Sequence, residues 1–366
     1  MATVALLAPL TLAVTACDAT ATSSGRPAST RPSSSTRPAT TRPSTPAAGQ
    51  SSPPSSASGL VVPGTVVRCR GQVVSTAREL SHALFAATAG ETIKLAPGIY
   101  QGDFEAAHSG QPSAPITLCG PRTAVLQGAT IDHGYTFYLD KASWWKVEGF
   151  TVEGGQKGIV TDHSSHDELY GLYVHSTGDE GIHLREFSSD NVISHCVVRD
   201  TGLLVQFFGE GIYVGSANKN WCRYTACHPD ASNGNTIIDN NIADTTAENI
   251  DIKEGTTGGL ISSNHFDGAG MVESAATSWV NVKGNDWVIK NNVGVNSIGN
   301  GFAVHQVYPG WGIGNTFAGN RADVNGPGYG VYVQSSDLRT VVACSNVAKR
   351  AKLGLSNLPC TNIGAS

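Results

Sequence analysis

Charged residues are concentrated in the stretch AENIDIKEGTTGG, at positions 247 to 259 of a 366-residue chain in which only 14% of residues are charged. Asp251 and Lys253 alternate there with Ile250 and Ile252. In a β-strand such alternation puts the isoleucines on the core face and the charges on the outer face, where we expect them to meet solvent. A carboxylate beside a lysine can transfer protons, neutralise an anionic ligand or bind a hard cation. This chemistry needs further residues of the same types on neighbouring elements.

Six short strands with the same alternating pattern recur along the chain. They are EGIHLRE (180–186), EGIYVGS (210–216), ENIDIKE (248–254), SWVNVKG (278–284), NGFAVHQ (300–306) and YGVYVQS (329–335). Their starts are separated by 30, 38, 30, 22 and 29 residues, a period typical of a solenoid. Second strands with an asparagine near the end follow, as NTIIDNN (235–241), GLISSNH (259–265), DWVIKNN (286–292) and NTFAGN (315–320). Because asparagine tolerates left-handed turns and can hydrogen bond along a stack, the pattern predicts an all-β, single-stranded parallel β-helix.

One segment has a helical pattern, TARELSHALFAA at 76–87. Thr76 and Glu79 have the spacing of a capping box. Four apolar residues line one face of the helix: Leu80, Ala83, Leu84 and Ala87. We predict an N-terminal helix that covers the exposed end of the β-helix.

Aligning the six strands stacks the residues between the apolar positions into columns, since neighbouring coils lie about 4.8 Å apart. One column contains His183, Tyr213, Asp251, Asn281, Ala303 and Tyr332. The next contains Arg185, Gly215, Lys253, Lys283, His305 and Gln334. Glu180, Glu210 and Glu248 stand just before the strands. The columns predict a surface groove that runs across the coils.

Lys253 lies one coil from Lys283 in this alignment. Two neighbouring ammonium groups repel, so each favours the neutral form of the other, and a lysine with a lowered pKa can act as a general base. The alternative is a pair of solvated lysines bonded to nearby carboxylates. Arg185 and His305 in the same column favour the catalytic interpretation.

Stacked glutamates cannot all stay ionised unless one is protonated, basic residues intervene or a hard cation binds. The third possibility predicts a Ca²⁺ site formed by Glu210, Glu248 and Asp251. The alternative is that the glutamates cap turns by accepting hydrogen bonds from backbone N–H groups.

The first 60 residues differ from the rest in composition. Residues 1–17 end in Val-Thr-Ala-Cys and resemble a secretory signal with a lipoprotein box, in which Cys17 would carry a lipid anchor; the alternative is an ordinary signal peptide. Residues 18–60 are rich in Ser, Thr and Pro, which predicts a disordered linker before a β-helix domain at 61–366. The whole chain carries a net charge of −5 and the first 60 residues contribute +3, so the domain carries −8, which argues against nucleic acid as a partner.

Seven cysteines follow Cys17, and an exported protein can keep disulfides. Proximity in sequence predicts the pairs Cys222–Cys227, Cys344–Cys360 and Cys69–Cys119. Cys196 sits in an apolar strand pattern and is predicted to be a buried free thiol.

Over about residues 65–360 the chain resembles secreted right-handed parallel β-helix proteins of the pectate-lyase-like superfamily. The segments that carry the resemblance are ETIKLAPGIYQG, SAPITLCG, DEGIHL with NVISHCVV, and NTIIDNNIADTTAENIDIK. The motifs are most similar to alginate-lyase and chondroitinase B-type lyases, where a Glu-rich strand leads to a base Lys, with calcium at the uronate and an Arg on the following coil. Glu248 and Lys253 match the Glu and the Lys of this pattern. Lys283 stands where the pattern has Arg.

The resemblance implies a polysaccharide lyase that cleaves an acidic, uronate-containing polysaccharide by β-elimination. Ca²⁺ or Arg185 would neutralise the uronate carboxylate, Lys253 would be the base, and Lys283, His305 or a tyrosine would be the acid. Residues expected to bind the substrate are His183, Tyr213, Asp251, Asn281, Tyr332 and Trp311.

Two other functions fit the same groove. A glycoside hydrolase would pair Glu210 with Glu248 or Asp251, and a non-catalytic surface protein would bind carbohydrate or cell wall. In each case we expect a monomer, secreted or lipid-anchored at the outer face of a bacterial cell.

Overall fold

The computed structural model describes residues 69–363, which form a parallel β-helix. Its strands belong to three sheets of eleven, ten and ten strands, and strands from successive coils pair in parallel. This confirms the predicted fold class. The segments 1–17 and 18–60, with Cys17, lie outside the described residues. Within the described part, no helix is long and apolar enough to cross a membrane.

The first sheet comprises Gln72–Val74, Thr92–Leu95, Ile116–Cys119, Trp145–Glu148, Glu168–Tyr170, Val192–Ser194, Thr236–Ile238, Leu260–Ser262, Val288–Lys290, Thr316–Ala318 and Val341–Val342. The second comprises Gly98–Gln101, Ala124–Gln127, Thr151–Glu153, Tyr173–His175, Val197–Thr201, Asn241–Thr245, His265–Asp267, Val293–Val295, Arg321–Gly326 and Val347–Ala351. The third, which we call the groove sheet, comprises Phe104–Ala106, Tyr135–Asp140, Lys157–Asp162, Ile182–Arg185, Ile212–Val214, Ile250–Ile252, Ser278–Val282, Asn300–Val304, Tyr329–Val333 and Gly354–Ser356.

Short helices complete the structure. The α-helices are Ala77–Ala86 and Trp221–Tyr224, and the 3₁₀ helices are Gln206–Phe208, Asn218–Asn220 and Ser336–Leu338. The capping box of the first helix is present, because the Glu79 backbone N–H donates to Thr76 Oγ1 over 3.2 Å and the Thr76 N–H donates to the Glu79 carboxylate over 3.2 Å. Leu80 and Leu84 of this helix are fully buried in the core, as predicted for an N-terminal cap.

Apolar residues of the strands build a continuous core. Ile212, Ile250, Val280 and Phe302 pair in register on successive coils of the groove sheet, and all four are fully buried. Burial of each such side chain contributes about 1.5–3 kcal/mol. The same alternation that buries these residues aims their neighbours into the groove.

On five successive coils a stack of asparagines lies between the strand of the first sheet and the following strand of the second sheet. We call it the asparagine ladder; its members are Asn240, Asn264, Asn292, Asn320 and Asn346. Each side-chain amide donates to the Oδ1 of the next over 2.9–3.0 Å, and each Oδ1 also accepts a backbone N–H of the preceding coil. The predicted hydrogen bonding along stacked asparagines is therefore confirmed.

The cysteine predictions are also confirmed. Disulfides join Cys69 to Cys119, Cys222 to Cys227 and Cys344 to Cys360. Cys196 is a buried free thiol, and burial raises its pKa to about 12.

One coil carries two long insertions. Residues 202–211 precede its groove strand Ile212–Val214, and residues 215–235 follow it. The segment before a strand and the segment after it lie at opposite ends of that strand. The two insertions of this coil therefore form both walls of the groove.

Candidate active site

The register of the groove sheet confirms the first predicted column. His183 pairs with Tyr213, Tyr213 with Asp251, Asp251 with Asn281, Asn281 with Ala303 and Ala303 with Tyr332. The second column follows directly after the strands: Lys253 N donates to Val214 O over 2.9 Å, Lys283 N to Ile252 O over 2.8 Å and His305 N to Val282 O over 3.0 Å. Charged and aromatic side chains from at least five coils are thereby aligned.

Asp251 lies between the two lysines. Its Oδ2 is 2.7 Å from Lys253 Nζ and its Oδ1 is 2.5 Å from Lys283 Nζ. Burial works to raise the pKa of Asp251, but the two ammonium groups outweigh it and hold that pKa below its usual value. Asp251 is only 1% exposed, so the expectation that it faces solvent is wrong.

The expected lowering of the pKa of Lys253 is also wrong. Burial does oppose the charged ammonium, but the carboxylate of Asp251 outweighs burial and raises the pKa of Lys253 well above its usual value. The repulsion between Lys253 and Lys283 is offset because one carboxylate is placed between them. Lys253 is therefore a cation in the resting protein.

The stacked glutamates are stabilised in different ways. Glu180 forms an ion pair with Lys157, and although burial opposes ionisation, Lys157 and His183 keep the pKa of Glu180 below its usual value. Glu248 accepts a hydrogen bond of 3.0 Å from Asn281 Nδ2. The carboxylates at the two ends of the stack thus each have a basic or amide partner on the coil outside the stack.

Glu210, in the middle, has no such partner. Its Oε2 is buried and makes no hydrogen bond to any of residues 69–363. Burial and the negative charge of Glu180 raise the pKa of Glu210 well above its usual value. Burial and Glu180 thus favour the protonated form of Glu210, and protonation is one of the three ways to relieve a stack of glutamates.

His183 and Tyr213 lie beside this acidic stack. His183 Nε2 donates to the Gly215 carbonyl over 2.9 Å, and His183 Nδ1 lies 3.4 Å from Glu180 Oε1. Burial outweighs the Glu180 carboxylate and lowers the pKa of the imidazole. The Tyr213 ring is 4.4 Å from the His183 ring, and Lys253 Nζ is 4.8 Å from the centre of the Tyr213 ring. Burial raises the pKa of Tyr213 well above its usual value, so the side chain is a phenol that can donate a proton. We call Lys157, Glu180, Glu210, Tyr213, Asp251, Lys253 and Lys283 the groove network.

A cavity of about 560 Å³ opens onto the groove network. Its floor includes Glu180, Glu210, Tyr213 and Lys253. One wall, from the insertion before the central strand, presents Phe207 and Phe208, and the other, from the insertion after it, presents Lys219, Arg223 and Tyr224. The site therefore offers a cation and a phenol below, aromatic rings on one side and positive charge on the other.

Arg185 is anchored at the edge of this cavity. Its Nε and Nη2 donate to the two oxygens of Asp162 over 2.6 and 2.9 Å, and Nη2 also donates to Tyr135 Oη over 3.0 Å. The guanidinium lies 5.3 Å from the Tyr135 ring and 4.5 Å from the Tyr224 ring. Such a paired and stacked arginine holds the groove wall in place.

Comparison with known proteins decides the family. No family model and no curated protein matches the chain, whereas solved structures do. An alginate lyase from Paenibacillus sp. str. FPU-7 is similar with 35% sequence identity and a TM-score of 0.69, over 79% of this chain and 96% of that one. The chain belongs to the right-handed parallel β-helix polysaccharide lyases.

Two more distant structures share the fold of the lyase. Pectate lyase Pel9A has 16% identity and a TM-score of 0.54, over 80% of this chain and 82% of that one. The periplasmic alginate epimerase AlgG has 13% identity and a TM-score of 0.51, over 74% of this chain and 61% of that one.

Some of the predicted site residues of the lyase lie apart from the cavity. His305 Nδ1 donates to Asn281 Oδ1 over 2.8 Å, and its ring packs 5.7 Å from the Tyr332 ring. Trp311 lies in the loop after Asn300–Val304, where its carbonyl accepts a hydrogen bond of 3.0 Å from Gln306 Nε2. The cavity of the described structure is lined by none of these four predicted residues, His305, Asn281, Tyr332 and Trp311. Lys253 lines it, whereas Lys283 is held behind Asp251.

Several residues of the lyase cavity were not predicted. Lys157 precedes Ile159, which pairs with Ile182, so extending the strand alignment one coil back to QKGIVTD places Lys157 in the column of Glu180. That signal is present in the sequence. Phe207 and Phe208 lie in an insertion without a repeat pattern, and only the folded chain shows where they project.

The predicted calcium ligands do converge. Glu210, Glu248 and Asp251 each offer a carboxylate oxygen, and these oxygens lie within 4.8 Å of one another. However, both oxygens of Asp251 already accept hydrogen bonds from ammonium groups, which supply the positive charge that the acidic cluster needs. A calcium ion would have to displace them to reach the six to eight oxygens it prefers, so this donor set fits lysine and a proton better than calcium.

Proposed function

We propose that this lyase cleaves a uronate polysaccharide by β-elimination, and that its substrate is alginate. The observation that carries the proposal is the Lys253–Asp251–Lys283 group beside Tyr213 at the floor of a groove, in a chain 35% identical to an alginate lyase. The reaction removes the proton at C5 of a uronate, forms a double bond between C4 and C5, and expels the glycosidic oxygen from C4. It needs a positive charge at the carboxylate and groups that move a proton at C5 and at the leaving oxygen.

Lys253 is proposed to supply the positive charge. Its ammonium is held in the charged form by Asp251 and lies on the cavity floor. A cation next to the uronate carboxylate stabilises the negative charge that develops when C5 loses its proton. The lysine thereby supplies the positive charge at the uronate carboxylate that the resemblance assigned to Ca²⁺ or Arg185.

Tyr213 is proposed to move both protons of the elimination: its phenol oxygen accepts the C5 proton as its own O–H proton passes to the leaving glycosidic oxygen, so the phenol is regenerated. Its phenol is neutral at ordinary pH, it lines the cavity, and the nearby ammonium of Lys253 stabilises any phenolate that forms. General acid catalysis of this kind contributes about 10²–10⁴-fold to a rate.

The walls favour an anionic chain. Lys219 and Arg223 are exposed and line the cavity, so they can attract uronate carboxylates against a net charge of −5 for the whole chain. Three disulfides in the described structure support action outside the cytoplasm. A lipid anchor at Cys17 remains a prediction.

The test is an assay of the full chain on alginate, pectate and a glycosaminoglycan. We expect alginate to give an unsaturated product that absorbs ultraviolet light. New reducing ends without that absorbance would show hydrolysis and overturn the proposal, as would retention of alginate without any cleavage. Cleavage of pectate alone would overturn the substrate but keep the reaction.

A further inference from the structure

Phe207 and Phe208 are exposed although they are large and apolar. They are 58% and 49% exposed, whereas most large apolar side chains of the described coils are fully buried. Leaving such surface in water forfeits the free energy that burial would provide. Clustered exposed apolar side chains generally mark a binding site.

The segment that carries the two rings is held in place by hydrogen bonds. Leu204 N donates to Gly178 O over 2.8 Å, Thr201 Oγ1 donates to Gly209 O over 2.7 Å, and Thr246 Oγ1 donates to Gln206 O over 2.9 Å. The rings are therefore presented by a positioned turn attached to two neighbouring coils.

The rings belong to the catalytic groove. They line the same cavity as Glu180, Tyr213 and Lys253. The wall across the groove presents the exposed cations Lys219 and Arg223. One side of the groove is thus apolar and aromatic, and the other is basic.

A uronate ring has matching properties. A pyranose ring has a face of C–H groups that packs on an aromatic ring, and its carboxylate projects from the ring edge toward any nearby cation. A lipid chain would leave the cations Lys219 and Arg223 without a partner of opposite charge.

We propose that Phe207 and Phe208 form an aromatic subsite that stacks one sugar ring of the polysaccharide and so positions the chain over Tyr213 and Lys253. This inference rests on the proposed function of the groove and adds a binding element to it. The two phenylalanines act through substrate binding and are positioning residues.

The experiment compares Phe207→Ala/Phe208→Ala with the wild type and with Phe85→Ala. Phe85 is 78% exposed on the helix Ala77–Ala86 and lies outside the cavity, so it is a matched control. We expect the double variant to raise KM for alginate about tenfold, because aromatic packing of this kind contributes on the order of one decade of affinity. The kcat value should change less than KM, and Phe207→Trp/Phe208→Trp should keep a KM close to that of the wild type.

A binding measurement makes the test independent of turnover. Titration of alginate into a Lys253→Ala background, with and without the two Phe→Ala changes, should show the same loss of affinity. Equal KM and equal affinity in the double variant would overturn the subsite while the proposed function stands. No unsaturated product from the wild type would overturn the proposed function, and the titration would still decide the subsite. The double variant could instead keep its affinity for alginate but lose binding to phosphatidylcholine vesicles or lose self-association. That result would assign the rings to another partner and overturn the inference.

Discussion

The asparagine ladder and the groove network each stack buried or half-buried polar side chains on five successive coils of the same β-helix, yet they are built differently. In the ladder every member is the same neutral amide, and each amide donates to the next over 2.9–3.0 Å. In the groove network the members alternate between carboxylate, ammonium and phenol. Glu210 Oε2 is buried without a hydrogen-bond partner among residues 69–363.

The difference shows what each stack does. A stack of identical side chains that hydrogen bond to one another has no unpaired polar atom and stabilises the coils it joins. A stack that mixes charges and leaves buried polar atoms unpaired lowers the free energy of unfolding. Proteins keep such destabilising groups mainly at functional sites. Removing a member should therefore damage stability in the ladder and activity in the groove network.

The largest expected effect is that of Lys253→Ala on activity. We expect kcat/KM on alginate to fall at least about 10³-fold, because the cation that stabilises the developing charge is lost. The unfolding transition should remain cooperative. Ultraviolet absorbance of the product and circular dichroism measure the two effects. Lys352→Ala, at an exposed lysine, is the control and should keep full activity. Full activity of Lys253→Ala would remove Lys253 from the mechanism.

Lys253→Arg separates the two roles considered for this lysine. An arginine keeps the positive charge but cannot act as a base near neutral pH, so we expect measurable activity that Lys253→Ala lacks. A complete loss in both variants would instead favour a general base. The pH profile gives a second criterion: kcat of a lysine base rises as pH approaches its raised pKa, whereas the activity of a cationic lysine is lost there.

In the asparagine ladder, Asn292→Ala should lower the free energy of unfolding by about 2–3 kcal/mol. The change leaves the buried N–H and side-chain amide of Asn264 without the Asn292 oxygen, and leaves Ile261 O without its donor. Chemical denaturation measures the loss, and kcat per folded molecule should not change. Asn362→Ala, at an exposed asparagine, should stay within about 0.5 kcal/mol of the wild type. Equal losses of unfolding free energy in Asn292→Ala and Asn362→Ala would mean that the ladder hydrogen bonds do not stabilise the fold.

Glu210→Gln should change the pH dependence of stability. The pKa of Glu210 is raised in the folded state, so the folded protein holds a proton that the unfolded chain releases above about pH 4.3. The wild type therefore loses stability as pH rises from about 4.3 toward the folded pKa, and the glutamine variant does not. Melting temperatures from pH 4 to pH 8 should show a growing advantage of the variant. Glu273→Gln, at an exposed glutamate, should follow the wild type, and a constant offset for Glu210→Gln would contradict the raised pKa.

The smallest effect is expected from a calcium chelator. Because Asp251 is already paired with Lys253 and Lys283, removal of calcium should leave activity and melting temperature unchanged. Addition of Ca²⁺ followed by calorimetry checks the same point. Loss of activity with chelator, restored by Ca²⁺, would show that the acidic cluster does bind a metal.

Local pattern alone was sufficient for the architecture. The alternation in ENIDIKE and its five relatives, with asparagines after the following strands, determined the coils, the core face and the columns, because a stack of parallel strands transmits one register from coil to coil. The pairing of Tyr213 with Asp251 and of Asp251 with Asn281 follows from that register. The disulfides follow from proximity along the chain.

Charge states and the aromatic wall of the cavity were decided only by the tertiary structure. An alignment places Lys253 one coil from Lys283, but only side-chain packing puts Asp251 between them, and this reverses the direction in which the pKa of Lys253 moves. The walls come from insertions that carry no repeat, so the sequence determined neither the projection of Phe207 and Phe208 nor the distance of Trp311 from the cavity. The physical reason is that backbone register is set locally and repeats, whereas electrostatics and cavity shape depend on which side chains the fold brings together from distant parts of the chain.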